Sequence, residues 1–339
     1  MAPHVERSPA RRSAARHWTL LGAKVLVSGG LLYLLFRQTD LSTVLQRLHN
    51  VDLRWMLAAL AIYGLMVGIS AWRWRVLLRT QHVDCPLSHL GSSFLVATFF
   101  NNFLPSNIGG DVIRIADTVS YTSSRTLATG VVLVDRALGL LALVLVAAIG
   151  SWRAQHSGLA MPGTQYLWVA LVAGSLAAVP TLLMPKLLDR LLTPIYAIAG
   201  EWARARLSRL TGMLGRINDH PGALGIAFAG ALAVQLVLVG FYLAVAHGLQ
   251  IPLSVASALL VVPVSLVLQM VPVSINGFGV REAVFTFYFQ RLGLGVDAAL
   301  ALSLISTATI AFFSLSGGVL FLLRRGGLTP ATVPSDTSE

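Results

Sequence analysis

The sequence predicts an all-α polytopic membrane protein, with about six full transmembrane helices and two re-entrant hairpins arranged as an inverted pseudo-repeat. Three observations predict it. Apolar residues make up 55% of the chain and charged residues only 12%, against roughly 25% charged in an average soluble domain. Between Asp219 and Arg281 the chain runs 61 residues without an Asp, Glu, Lys or Arg, and a soluble helix, which needs a wet face, does not tolerate such a run. Finally, two of the apolar segments are interrupted by Pro-Gly-polar breaks that resemble each other.

A basic leader, residues 1–17, precedes the first span, at about 18–36. The leader is rich in arginine, and Phe36-Arg37-Gln38 offers no small-residue cleavage site, so this first helix is expected to be retained. Further spans are expected at about 55–72, 126–150, 164–185, 221–246 and 298–323, each about long enough to cross ~30 Å of hydrocarbon. Trp18, Trp55, Trp72, Trp74 and Trp152 fall at span ends, where amphipathic rings prefer the interface. The run Trp72-Arg73-Trp74-Arg75 therefore reads as an interfacial anchor. Residues 186–217 repeat apolar side chains at helical spacing with arginines between them, which predicts an amphipathic surface connector. Residues 324–339, rich in Gly, Pro, Ser and Thr, are expected to form a disordered cytoplasmic tail. Residues 18–323 thus form one membrane domain, with repeat halves at about 55–150 and 221–323.

The net charge of +11 points to lipid and not to nucleic acid, because the basic residues flank the apolar spans and no nucleic-acid motif accompanies them. The lone cysteine, Cys85, excludes an intramolecular disulfide and a cysteine-built metal site, and no metal or cofactor is expected. If all eight apolar segments crossed, a cytoplasmic N-terminus would place the basic connector outside. If the broken segments, about 88–120 and 253–293, instead dip in and return, both termini and every basic stretch face the cytoplasm.

The breaks are where chemistry is expected. The first reads Leu104-Pro105-Ser106-Asn107-Ile108-Gly109-Gly110-Asp111-Val112-Ile113-Arg114, and the second Val271-Pro272-Val273-Ser274-Ile275-Asn276-Gly277-Phe278-Gly279-Val280-Arg281-Glu282. Pro105/Pro272, Ile108/Ile275, Gly110/Gly277 and Arg114/Arg281 share one offset of 167 residues. Pro and Gly free backbone groups that hydrocarbon cannot satisfy, so such breaks must be buried in protein or line a wet cavity. Gly109, Gly110, Gly277 and Gly279 are expected to be turn residues. Arg114 and Arg281 suit a phosphate-type anion, since a guanidinium presents a planar fork of donors. Asp111, Asp135 and Glu282 can balance those arginines, bind a cationic headgroup or carry a proton. Asn102, Asn107 and Asn276 add hydrogen-bonding capacity. Against this stands a purely structural reading, in which Asp111–Arg114 and Asp135–Arg136 are ion pairs that clamp the hairpins.

The runs at 71–79 (AWRWRVLLR), 99–117 (FFNNFLPSNIGGDVIRIAD), 133–143 (LVDRALGLLAL) and 271–285 (VPVSINGFGVREAVF) resemble the lysylphosphatidylglycerol synthase transmembrane-region family. The resemblance covers about 18–323. It implies a lipid translocator of a bacterial cytoplasmic (inner) membrane, flippase-like, moving a phospholipid or other polar lipid between leaflets. Aminoacylating members carry a large soluble domain after the membrane part. This chain ends at Glu339 with a short tail, so lysyl transfer is not expected and the protein reads as a non-enzyme. Ile275-Asn276-Gly277-Phe278 departs from the more Gly-rich run common in the family. The protein partners left open are a second copy or an enzyme that makes the lipid. A membrane enzyme acting on a lipid-linked sugar or headgroup, and an ion or small-solute transporter, are the competing functions. No Gly-rich Lys-Ser/Thr phosphate loop is present to power transport by itself.

Overall fold

A computed structural model describes residues 49–103, 109–122, 124–156, 164–183, 201–270 and 277–325, together with Ser274, Arg190 and four isolated positions before residue 49. The leader, most of the expected span at 18–36, most of 184–200 and the tail after Arg325 lie outside the described residues, as do Pro105, Asn107, Pro272 and Asn276.

Among the described residues the fold is entirely helical. The elements are α1 (Leu53–Arg79), α2 (Leu87–Phe103), α3 (Gly109–Thr122), α4 (Arg125–His156), α5 (Thr164–Leu183), α6 (Glu201–Asn218), α7 (Pro221–Gly248), α8 (Val255–Gln269), α9 (Val280–Arg291) and α10 (Val296–Arg325). Of these, α1, α4, α7 and α10 are long and apolar enough to cross a membrane. Helix α5 occupies the place of the span expected at 164–185. Local chemistry sets several of the helix ends. Asp52 caps α1 by accepting from the Arg54 N–H at 2.9 Å, Ser254 caps α8 by accepting from the Ser257 N–H, and Pro221 opens α7.

Helices α2, α3, α8 and α9 have 17, 14, 15 and 12 residues. At 1.5 Å per residue each is shorter than the ~30 Å of a bilayer core. They form two side-by-side pairs, α2 with α3 and α8 with α9. The first pair is antiparallel. The Gly110 N–H donates to Asn101 Oδ1 at 2.8 Å near the break, and the His89 ring lies 4.9 Å from Tyr121 at the open end. A Cβ at Gly110 would sit 2.5 Å from the Ala97 carbonyl oxygen, so only glycine lets the returning helix start this close.

The long helices and the short pairs interlock. Helix α1 packs along α7, α4 against α8, and α10 against α2. Two glycines set the last two crossings. A Cβ at Gly150 would collide with the Leu259 backbone oxygen, and one at Gly317 with the Leu95 backbone oxygen. The core beneath them is aliphatic and aromatic, including Phe241, Tyr242, Phe285 and Phe289 on one side and Trp74, Leu77, Leu78 and Leu90 on the other.

Contacts also define two ends of the molecule. At one end the Asp52 N–H donates to the Gly248 carbonyl at 3.0 Å, and Trp55 stacks edge-on against His247. At the other, Arg216 Nε donates to Gln81 Oε1 at 2.7 Å, His82 lies near His220, and Arg324 pairs with Asp117 at 2.9 Å. In α6, Met213, Leu214 and Ile217 are buried while Arg209 and Arg216 are exposed, so its apolar stripe faces the bundle.

Candidate functional site

The site grows from five charged side chains on three helices. Helix α1 carries a buried stripe, Tyr63, Met66, Val67, Ser70, Ala71, Trp74, Leu77 and Leu78, and Arg73 lies on the edge of that stripe. The helix continues to Arg79, more than a turn beyond the Trp-Arg run. Trp72 is exposed as an interfacial anchor requires, but Arg73 and Trp74 are buried, which corrects the reading of the run as an anchor. A helix rotates about 100° per residue, so neighbours in one short run face different surroundings.

Asp135, on α4 and only 1% exposed, accepts from both arginines. Arg73 Nε reaches Oδ1 at 2.7 Å and Arg114 Nη2 reaches Oδ2 at 2.9 Å. The Arg114 guanidinium also lies over the Trp74 ring at 4.3 Å and near Phe94 at 4.9 Å, so aromatic faces replace part of its lost hydration. Asp111, one turn before Arg114, is 3.8 Å from it and pairs closely with Arg136. The expected Asp135–Arg136 clamp is not formed. Adjacent residues on a helix diverge, so Asp135 turns into the bundle and Arg136 turns to α3. Three guanidinium groups thus face two carboxylates.

The second break builds a different cluster. Gly277 and Gly279 have φ of +78° and +83°, the left-handed region that favours glycine. Glu282 is fully buried and reaches back to the Gly279 N–H through Oε2 at 2.7 Å, closing the first turn of α9. Its other oxygen accepts from Arg281 Nη2 at 2.9 Å and from the Ser303 hydroxyl at 2.6 Å. Arg281 Nε donates to the same Ser303 oxygen at 2.8 Å, and Phe278 lies 5.7 Å from the guanidinium. One cation meets one anion.

The structure therefore brings Arg114, Asp135, Asp111 and Arg136 together, and separately Arg281 and Glu282. Asn102, half-buried near the end of α2, and Gly109, the first residue of α3, stand at the first break. Arg73 and Ser303 are additional members that were not expected from the sequence. The signal for Arg73 was present in its place beside the apolar stripe of α1. Ser303 carried none, being one small polar residue in a long apolar run. Among the described residues no group of His, Cys, Asp and Glu side chains is placed to hold a metal.

The family model for the lysylphosphatidylglycerol synthase TM region matches residues 22–318. No curated protein matches the chain.

Proposed function

The chain belongs to the lysylphosphatidylglycerol synthase TM-region family, and from that premise we propose that it is a translocator of a polar-headed membrane lipid. The observation that carries this reading is the charged cluster joining Asp135, Arg114, Arg73, Asp111 and Arg136, buried between helices that are long and apolar enough to span. Ionisable groups at membrane depth are costly and commonly mark a substrate path. A headgroup crossing the bilayer needs such a polar station, whereas the acyl chains can remain in lipid.

The arrangement of the helices supports an inverted pseudo-repeat. The order long–short–short–long occurs twice, as α1–α4 and α7–α10. The contacts at the two ends make α1 run from the Asp52 end to the Gln81 end, and α7 run the opposite way. The crossings repeat as well, since Gly150 and Gly317 are 167 residues apart, the offset that relates Arg114 to Arg281. In this reading each short pair is a re-entrant hairpin, the first open to one side and the second to the other. Such mirrored broken segments are a recurrent plan for alternating access. The end carrying Arg75, Arg79, Arg209, Arg216 and Arg324 is the richer in positive charge, which favours the cytoplasmic side for it.

The protein reconstituted in liposomes is expected to speed the loss of a headgroup-labelled lipid from the face reached by an added quencher. Rates equal to those of empty liposomes across anionic, zwitterionic and aminoacylated lipids would end the proposal. Product formation from a lipid donor would favour an enzyme instead.

A further inference from the structure

The two arginine clusters are built unequally. Around Glu282, both carboxylate oxygens, the Ser303 hydroxyl, the Gly279 N–H and two guanidinium nitrogens of Arg281 are all engaged. This is a closed circuit with balanced charge. Around Asp135 the arrangement is less complete. Arg73 and Arg114 share its one carboxylate, and Asp111, which pairs with Arg136, adds only a 3.8 Å contact to Arg114.

The hydrogen bonds tell the same story. Among the described residues, Arg73 Nη1, Arg114 Nε and Trp74 Nε1 are buried N–H donors without an acceptor. Arg73, Arg114 and Trp74 are 6%, 5% and 1% exposed. An unpaired donor in a water-poor interior costs about 1–3 kcal/mol, and more when it is charged. Beside this cluster α4 carries Gly139, and even a Cβ there would be 3.9 Å from Arg73 Nη2 and 4.0 Å from Nη1. At that position α4 places no side chain against the unpaired donor, and the space left is about that of a methyl group. Arg136, the most exposed cluster member, pairs with Asp111 on α3.

We infer that the Arg73–Asp135–Arg114 cluster is a binding station for one phosphate-class anion, held by Arg73 Nη1 and Arg114 Nε, and that Arg281 is a positioning residue which does not bind it. This rests on the lipid-translocator reading for the source of the anion but not for the site itself. A phosphodiester oxygen supplies the missing acceptor, and its charge adds to the single carboxylate that Arg73 and Arg114 share. Each of the two nitrogens offers it one charge-assisted hydrogen bond. In the second half Ser303 and Glu282 already satisfy that demand, so an anion arriving at Arg281 would meet a carboxylate.

The test uses the full chain in detergent and in nanodiscs, as wild type and as Arg73→Gln, Arg73→Lys, Arg114→Gln and Arg281→Gln. One arm titrates inorganic phosphate at constant ionic strength and follows tryptophan fluorescence, with Trp74→Phe identifying the signal from under Arg114. The other counts retained phosphatidylglycerol by native mass spectrometry. Arg73→Lys keeps one cation for Asp135 but loses the guanidinium fork, so it remains informative if Arg73→Gln fails to fold. Its affinity for the anion is expected to fall about tenfold, as for loss of one charge-assisted hydrogen bond. Arg281→Gln is expected to bind as wild type. Equal titrations for wild type and Arg73→Lys, or loss on Arg281→Gln alone, would overturn the inference. A response to inorganic phosphate that depends on Arg73, with no lipid moved in the liposome assay, would keep the site and remove the translocator reading. Lipid transport untouched by Arg73→Lys together with unchanged binding would do the reverse.

Discussion

Asp135 is the residue on which the first cluster depends. It neutralises two buried guanidinium groups through separate oxygens, and nothing else described takes its place. Asp135→Asn keeps the shape but leaves Arg73 without its counterion and Arg114 with only the 3.8 Å contact to Asp111. Removing one partner of a buried ion pair typically costs about 3–5 kcal/mol. Thermal unfolding in detergent is expected to show a large loss for Asp135→Asn and a smaller one for Arg73→Gln. The double variant is expected to be less destabilised than the sum, because the second change removes the repulsion that the first creates. Strict additivity would mean that the two side chains do not interact. A second residue makes a chemical prediction. Cys85 lies between α1 and α2, and burial, with Asp84 adding to it, pushes its thiol up to about 11 while Arg75 pulls the other way. Below that value the thiol stays protonated, and the thiolate is the nucleophile. Maleimide labelling of the folded protein is therefore expected to be slow at pH 7 and to accelerate as the pH rises toward 11. Denaturation at pH 7 should make it fast at once. Equal rates before and after denaturation would contradict a buried thiol.

At the scale of elements, the two glycine crossings carry the most testable weight. Gly150 and Gly317 each face a backbone oxygen of the partner helix, which cannot rotate away as a side-chain tip does. Gly150→Ala and Gly317→Ala are expected to cost about 1–3 kcal/mol each through forced helix separation. Gly225→Ala is the control, since that glycine has open space around it, and there the helix should gain about 0.5–1 kcal/mol. If all three variants melt alike, the close crossings do not hold the bundle together. The same elements show what the sequence reveals and what it hides. Spans are legible because bilayer thickness acts directly on composition, residue by residue. The hairpin breaks are legible because Pro and Gly act on the local backbone. The pairing of Asp135 with Arg73 rather than Arg136 is not legible, because it depends on helix rotation and on a contact 62 residues away along the chain. Ser303 is invisible for the same reason. Its role exists only because α9 and α10 pack side by side. The sharp end expected for α1 near Trp72 also failed to anticipate Arg73. Hydropathy falls where arginines appear, but a buried arginine inside a bundle looks the same in one dimension as one at the water surface.

For the whole molecule, the reading turns on which ends share a side of the membrane. The contacts place the α1–α2 turn beside the end of α6, through Gln81 with Arg216 and His82 near His220. They place the start of α1 beside the end of α7, through Asp52 and Gly248. Were α2 and α3 a simple crossing pair, the chain after Thr122 would emerge opposite Gln81. Instead the antiparallel pairing of His89 with Tyr121 returns it to the side from which α2 began. Helices α8 and α9 start and end with Val255 and Arg291, and the paired reading puts both near the Gly248 end. Two ends are thus defined, one holding Asp84 and Asp219 and the other Gln250, and the proposed second hairpin would add Gly293 to the latter. In a Cys85→Ser background, single changes Asp84→Cys, Asp219→Cys, Gln250→Cys and Gly293→Cys separate the possibilities with a membrane-impermeant maleimide on intact cells. On the proposed orientation, Gln250→Cys and Gly293→Cys are expected to label directly, and Asp84→Cys and Asp219→Cys only after permeabilisation, in line with the positive charge around Arg79 and Arg216. Labelling of Gly293→Cys together with Asp219→Cys would mean that the second short pair crosses the bilayer. The two halves would then not be mirrored, and the argument that opposed hairpins alternate access to one headgroup would fall with them.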